Sequence, residues 1–220
     1  MIIVNDIPRR IEADLIERYR KVRVSTLGHM TDLVFIRNLK PLFTPIKIVG
    51  PALTVKIPHV DSAALHIALD YAKPGDVIVV SMSGDYERAC WGGIVTYMAI
   101  KKGVVGAIID GRICDVSDIL RMRFPIFSRG ASPMTTRVIG LEGEIGGQIA
   151  IENVVINPGD LVFADEDGIA ILTPEKARLY IEKIEEAEKK EEEIIRRIDL
   201  GETLSEISGA KRYLNLKTKT

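Results

Sequence analysis

Between Gly84 and Asp118 the chain reads GDYERACWGGIVTYMAIKKGVVGAIIDGRICDVSD, and this stretch concentrates the residues whose types and spacing suit chemistry. Trp91, Gly92 and Gly93 stand just before a helical run, where bare backbone N–H groups at a helix start face any anion bound there. Val104 to Ile109 is an apolar strand ending in Asp110 and Gly111, and Asp115 immediately precedes the helical VSDILRM. Two strand ends therefore open on one side, and in an open α/β sheet that side takes ligands. Residue type alone leaves Asp115 two roles, capping the next helix or holding a hard cation through oxygen. The glycine pair likewise either admits a ligand to the backbone or lets helix and sheet pack tightly.

Plainer readings apply to the other candidates. Cys114 reads as a small buried apolar residue, because no histidine lies near it in sequence. His29, His59 and His66 lack metal-ligand spacing. Asp165, Glu166 and Asp167 before Gly168 predict a hairpin turn rather than a calcium loop. Trp91 reads as a core or interface aromatic, and Asp85 and Arg88 as either a pocket mouth or a solvated loop.

The elements that must position these residues follow from periodicity. Ile11, Leu15, Tyr19 and Val22 mark one helix face from Pro8 to Val22. Ser25 and Thr26 predict a capped short helix through Met30, and KIVGPALTVKI predicts two short strands hinged at Gly50 and Pro51. Asp61 predicts the N-cap of a helix buried through Leu65, Ala68, Leu69 and Ala72. From Val77, strand and helix alternate as VIVV, GGIVTYMAIKK, VVGAII, VSDILRM and PIFS, which predicts a mostly parallel sheet with crossover helices. After Ser132, short β runs separated by turn dipeptides predict hairpins, so the core reads as two sheets with helices on one side. Thr173, Pro174 and Glu175 start a long helix that Gly201 ends. The expected division is a core over residues 1–172 and a helical arm over 173–220. Ala177, Ile181, Ile184, Ile195 and Ile198 fit one heptad seam that Glu188 and Glu191 interrupt. The stretch EEAEKKEEE is either a solvated face held by i,i+4 ion pairs or part of an arm carrying Glu191 or Glu192 to a neighbouring subunit.

Composition sets outer limits. The 220 residues are 46% hydrophobic, enough for a proper core, and 30 basic against 31 acidic residues give no global charge for nucleic acid or an anionic membrane surface. Cys90 and Cys114 form no CxxC pair, no basic-then-apolar leader opens the chain, and no run approaches the roughly 20 apolar residues of a membrane span. A cytoplasmic setting is the expectation. A single glutamine, Gln148, among many Lys, Arg, Glu and Ile suggests a heat-adapted source.

The blocks GDVIVVS, GDYERACWGG, VVGAIIDG with a following aspartate, PIFSRGASP and NPGDLVFADEDGIAILTPE, in that order, resemble the RraA-like family. That family includes regulators of ribonuclease activity and metal-dependent 4-hydroxy-4-methyl-2-oxoglutarate aldolases, and some members carry a demethylmenaquinone methyltransferase label. The resemblance spans roughly residues 25 to 200 and implies an α/β fold of the swivelling β/β/α type, assembled as trimers or hexamers with sites between subunits. It implies a divalent ion, Mg²⁺ or Mn²⁺, held by Asp115, and a small 2-oxo acid substrate cleaved as in class II aldolases or decarboxylated as oxaloacetate. Backbone amides of Gly92 and Gly93 would hold the substrate carboxylate, and Glu191 or Glu192 of a neighbour would act as acid or base. Two departures stand out. Cys114 replaces the arginine expected before the metal aspartate, and Gly93 replaces an acid. Arg112 and Arg129 are the candidates to restore the missing guanidinium. The alternative implied is a non-catalytic regulator that binds a protein partner such as a ribonuclease.

Overall fold

Two of the apolar runs, Val77–Ser81 and Gly106–Asp110, are buried at every residue, which a strand achieves only when both faces of its sheet are covered. The computed structural model describes residues 1–8 and 11–214. Its first half contains β1 (Ile2–Val4), α1 (Ala13–Lys21), α2 (Val24–Gly28), β2 (Phe35–Ile36), β3 (Lys40–Pro41), β4 (Lys47–Lys56), α3 (Ala63–Tyr71) and β5 (Val77–Ser81). The middle continues with β6 (Ala89–Trp91), α4 (Gly93–Lys101), β7 (Gly106–Asp110), β8 (Arg112–Ile113), α5 (Val116–Met122) and β9 (Ile126–Ser128). Then come β10 (Gly143–Ile145), β11 (Ile149–Ile151), β12 (Val154–Ile156), β13 (Leu161–Asp165), β14 (Gly168–Leu172), α6 (Pro174–Asp199), α7 (Leu204–Ile207) and a 3₁₀ turn at Ala210–Tyr213.

Strands β4, β5, β7 and β9 run parallel in that spatial order, as the alternation of elements predicts. One face of this layer, through Leu53, Ile78, Val80 and Ile109, packs under α3, α4 and α5. The other face, through Ala52, Val79, Ile108 and Phe127, meets the β11–β12 hairpin and the inner side chains Val162, Ala164 and Ile171 of β13 and β14. The outer side of β13–β14, with Phe163, Ala170 and Leu172, is covered by α1, α2 and the first half of α6.

The two expected sheets are continuous through β4, and this corrects the reading of KIVGPALTVKI as two hinged strands. Lys47 to Pro51 pairs antiparallel with β13, whereas Ala52 to Lys56 pairs parallel with β5. Pro51 falls at the changeover, the place where a strand best tolerates a residue without an N–H. Gly50 is there for close approach, since a Cβ on it would lie 2.3 Å from the Gly75 carbonyl oxygen.

One capping expectation is also corrected. Helix α2 starts at Val24, and its first amide donates to Asp165 Oδ2 at 2.9 Å rather than to Ser25 or Thr26. Helix α6 begins as expected, with Thr173 Oγ1 accepting from Lys176 N at 3.4 Å and Pro174 at the first position. Two of its acids are held by residues distant in sequence: Glu185 accepts from Arg18 Nε at 2.9 Å and Nη2 at 2.7 Å, and Glu188 from the Arg23 backbone at 2.8 Å.

Candidate active site

Gly92–Gly93 and Asp115 are far apart in sequence, and the small parallel pair β6–β8 brings them together. Trp91 registers against Ile113, and Cys114 N donates to the Trp91 carbonyl at 2.9 Å. Trp91 is fully buried as expected, stacked on Phe124 at 5.8 Å, with its indole N–H donating to Thr96 Oγ1 at 2.7 Å. Thr96 Oγ1 in turn donates to the Gly92 carbonyl at 2.9 Å, so the glycine turn is tied to the first turn of α4. Behind the site, Gly111 is fixed by packing, because a Cβ on it would lie 2.1 Å from Met82 Sδ.

Asp115 has the left-handed backbone φ 51°, ψ 40°, and sits at the N-cap position of α5 without capping it through its side chain. Its carboxylate crosses to the other helix instead, where Oδ2 accepts from Gly93 N at 3.0 Å. The anion thus lies at the N-terminus of α4, where the helix dipole favours it. Room for it comes from the glycines. A Cβ on Gly92 would lie 2.6 Å from Asp115 Oδ2 and 2.8 Å from Cys114 Sγ, and one on Gly93 would lie 3.2 Å from Asp118 Oδ2.

Asp115 stands on a ridge between two open clefts. One, of about 200 Å³, has Gly92, Cys114, Asp115, His66, Thr136 and Arg137 among its lining residues. The second, of about 500 Å³, is lined by Gly93, Ile94, Tyr97, Asp115, Asp118 and Arg121. Burial pushes the Cys114 thiol up to about 11, with the neighbouring Asp115 charge adding to it, so the thiol stays protonated at neutral pH. That agrees with its reading as something other than a nucleophile, but Cys114 is half-buried at the cleft rather than buried as expected.

The other anticipated residues lie elsewhere. Arg112 does not line either cleft beside Asp115; its guanidinium reaches Glu87 Oε1 and the Arg129 carbonyl, each at 3.4 Å. Arg129 Nε donates to Asp110 Oδ1 at 2.8 Å, and the guanidinium stacks on the Tyr86 ring at 3.9 Å. Burial pushes the Asp110 carboxyl up against the opposing pull of Arg129. Asp85 and Arg88 pair with each other at 3.2 Å. Glu191 is ion-paired with Arg23 of its own chain, and Glu192 is exposed on α6. The Gly93 amide is engaged by Asp115 rather than open to a cleft.

Residues the sequence reading missed come from the loop after Ser132. Arg137, Thr135 and Thr136 line the smaller cleft. No periodicity or motif marks them, because they reach the site through single bridges, Ala89 with Thr135 and Asp61 with Arg137. The anchor is Asp61, buried and accepting from Ala63 N at 2.9 Å, Ile139 N at 3.1 Å and Leu141 N at 2.6 Å. The N-cap position of α3 is Ser62 rather than the expected Asp61, whose side chain bonds the first helical amide but chiefly holds a distant loop. Burial alone would raise the Asp61 carboxyl; these amides outweigh it and hold the group down at about 2.

Comparisons with known proteins bear on the family and the fold. A protein of Halalkalibacterium halodurans provisionally named 4-hydroxy-4-methyl-2-oxoglutarate aldolase is 32% identical over 183 residues, covering 82% of this chain and 87% of that one. An uncharacterized protein of Methanocaldococcus jannaschii is 33% identical over 174 residues, covering 78% of this chain and 83% of that one. Among solved structures, Streptomyces coelicolor RraAS2, described as an unusual member of the RNase ES inhibitor RraA protein family, superposes with a TM-score of 0.76. It is 28% identical, and the match covers 84% of this chain and 97% of that one. Residues 13–171 match the family described as RraA-like, Aldolase/RraA, so with the mixed sheet, the β6–β8 joint and the long C-terminal helix all present, the chain belongs to the RraA-like family.

Proposed function

We propose that this chain is a divalent-metal-dependent lyase that breaks a carbon–carbon bond in small 2-oxo acids, by aldol cleavage or by decarboxylation of oxaloacetate. The observation that carries the reading is the Asp115 carboxylate, exposed on a ridge between two clefts and oriented by the Gly93 amide at 3.0 Å. The donor set suits Mg²⁺ or Mn²⁺, which take one or two carboxylates and leave most positions to water. Asp118, three residues on along α5 and also paired with Arg121 at 3.2 Å, offers the second carboxylate, and among the described residues no group of three or more His, Cys, Asp or Glu is placed to hold a metal, which does not suit a closed zinc site. Such an ion would supply Lewis-acid polarisation of the 2-oxo group and counter-charge for the electron pair left when the bond breaks.

The chain's own groups then have separate tasks. Asp115 holds the cation, the Gly93 N–H fixes the carboxylate's direction, and Gly92 leaves room for that carboxylate against the backbone. The subunit assembly belongs to the same reading. Ile195, Ile198 and Leu204 on the arm are 58%, 43% and 62% exposed, a surface that a trimer or hexamer would cover while bringing the exposed Glu192 toward a neighbour.

A divalent-metal titration that follows pyruvate release from oxaloacetate and from 4-hydroxy-2-oxo acids tests the proposal. Turnover that needs Mg²⁺ or Mn²⁺ and disappears in Asp115→Ala is the expected result; absence of any metal-dependent turnover in the wild-type chain sinks it. One observation favours the second reading, a non-catalytic regulator binding a protein such as a ribonuclease: neither Arg112 nor Arg129 reaches the cleft where Cys114 stands. Inhibition of a ribonuclease by a chain without lyase turnover would support it.

A further inference from the structure

Resting on the lyase reading, we propose that Arg137 is the cation that receives the substrate's carboxylate, filling in space the role that Cys114 leaves open in sequence. Three observations carry this. Arg137 lines the same cleft as Gly92, Cys114 and Asp115, and at about 200 Å³ that cleft is smaller than the roughly 300–1,000 Å³ of drug-sized sites and suits an acid of a few carbons. Among the described residues, its side chain has no hydrogen-bond or ion-pair partner, whereas Arg112 and Arg129 are engaged with Glu87 and Asp110. Finally, its backbone is clamped on both sides. Arg137 N donates to the Val60 carbonyl at 2.7 Å, and its carbonyl accepts from Ser62 N at 2.8 Å. Thr136 N donates to the Ala89 carbonyl at 2.9 Å, and Asp61 grips Ile139 and Leu141 downstream.

Arg137 is exposed, and a partnerless guanidinium on a fixed backbone is free to turn toward a planar anion in the cleft. Its fork matches the two oxygens of a carboxylate, which a lysine or a thiol does not reproduce. Asp115, which on the lyase reading carries the metal, lines the same cleft. The cleft therefore offers a cation for the acid end of a molecule and a metal-bearing carboxylate for its oxo oxygen, which defines the substrate class as a small oxo acid.

The test uses the full-length protein with oxaloacetate as substrate and oxalate as a non-reacting probe, each with Mn²⁺. Arg137→Ala is expected to raise the KM for oxaloacetate and weaken oxalate binding by tenfold or more, while Mn²⁺ affinity and melting temperature stay close to wild type. Arg137→Lys should recover only part of the loss, and added guanidinium should recover more in Arg137→Ala than in the wild type. Wild-type KM and oxalate affinity in Arg137→Ala overturn the proposal, as does failure of the wild-type chain to bind either acid. If the wild type binds oxalate without turning over oxaloacetate, the lyase reading falls, and Arg137 is judged on oxalate affinity alone.

Discussion

Asp115 holds φ 51° although it has a Cβ, a conformation that costs on the order of 1 kcal/mol or more and persists where surrounding contacts fix it. Those contacts are the β6–β8 pairing before it and the Gly93 amide it accepts from. Charge and hydrogen bonding separate cleanly here. Asp115→Asn keeps an acceptor for the amide but loses the anion, so it should abolish Mn²⁺ binding and lower turnover by roughly 100-fold or more while stability changes by less than about 1 kcal/mol. Calorimetric metal titration and denaturant melts measure the two effects separately. The adjacent glycines make a graded pair. Gly92→Ala places a Cβ 2.6 Å from Asp115 Oδ2 and 2.8 Å from Cys114 Sγ, so it should cost about 1–3 kcal/mol and displace the carboxylate. Gly93→Ala meets the exposed Asp118 side chain at 3.2 Å and Asp115 Cβ at an ordinary 3.5 Å, and should be milder in both melting temperature and metal affinity; equal effects would refute this account of the lip.

Among the elements, the loop carrying Arg137 and the helix α6 are each fixed by buried or half-buried carboxylates. Asp61 titrates lower in the fold, at about 2, than its unfolded value near 4, so its stabilisation is present above the unfolded value and lost as pH falls toward 2. The melting-temperature gap between wild type and Asp61→Asn should therefore be widest near neutrality and close between about pH 4 and pH 2. A constant gap across that window would show that the charge is not what holds the loop. On α6, Glu188 accepts from the Arg23 backbone at 2.8 Å and from the buried Thr26 hydroxyl at 3.1 Å. Glu188→Ala strands that hydroxyl and should cost about 1–3 kcal/mol in denaturant unfolding. Glu193→Ala removes only an exposed i,i+3 contact with Arg196 and should cost about 0.5 kcal/mol or less.

For the whole molecule, the division of labour along α6 sets the expected assembly. Ala177, Ile181 and Ile184 are buried in the chain's own core, whereas Ile195 and Ile198, on the same heptad seam, are exposed. The seam changes from core to uncovered surface once it passes the Arg23 ion pairs. Ile195→Glu combined with Leu204→Glu should leave the core folded, as circular dichroism would record. Light scattering should then show the trimer or hexamer dissociating; a wild-type chain already monomeric at micromolar concentration would refute the assembly.

The sequence alone determined those features in which local chemistry is decisive. Continuous apolar runs with glycine and proline punctuation gave the parallel layer, Thr173 and Pro174 gave the start of α6, and block order gave the family. Tertiary structure decided which partner each polar side chain meets. Asp115 resembles a cap for α5 but reaches α4, Glu188 resembles a solvated acid but holds α2, and Arg112 and Arg129 resemble site cations but pair with Glu87 and Asp110. Arg137 entered the cleft unannounced because single bridges from Ala89 and Asp61 put it there. The physical reason is range: backbone propensity and burial act over a few residues and leave a periodic trace, whereas a hydrogen bond or ion pair depends on where the fold brings distant atoms, and no local pattern encodes that.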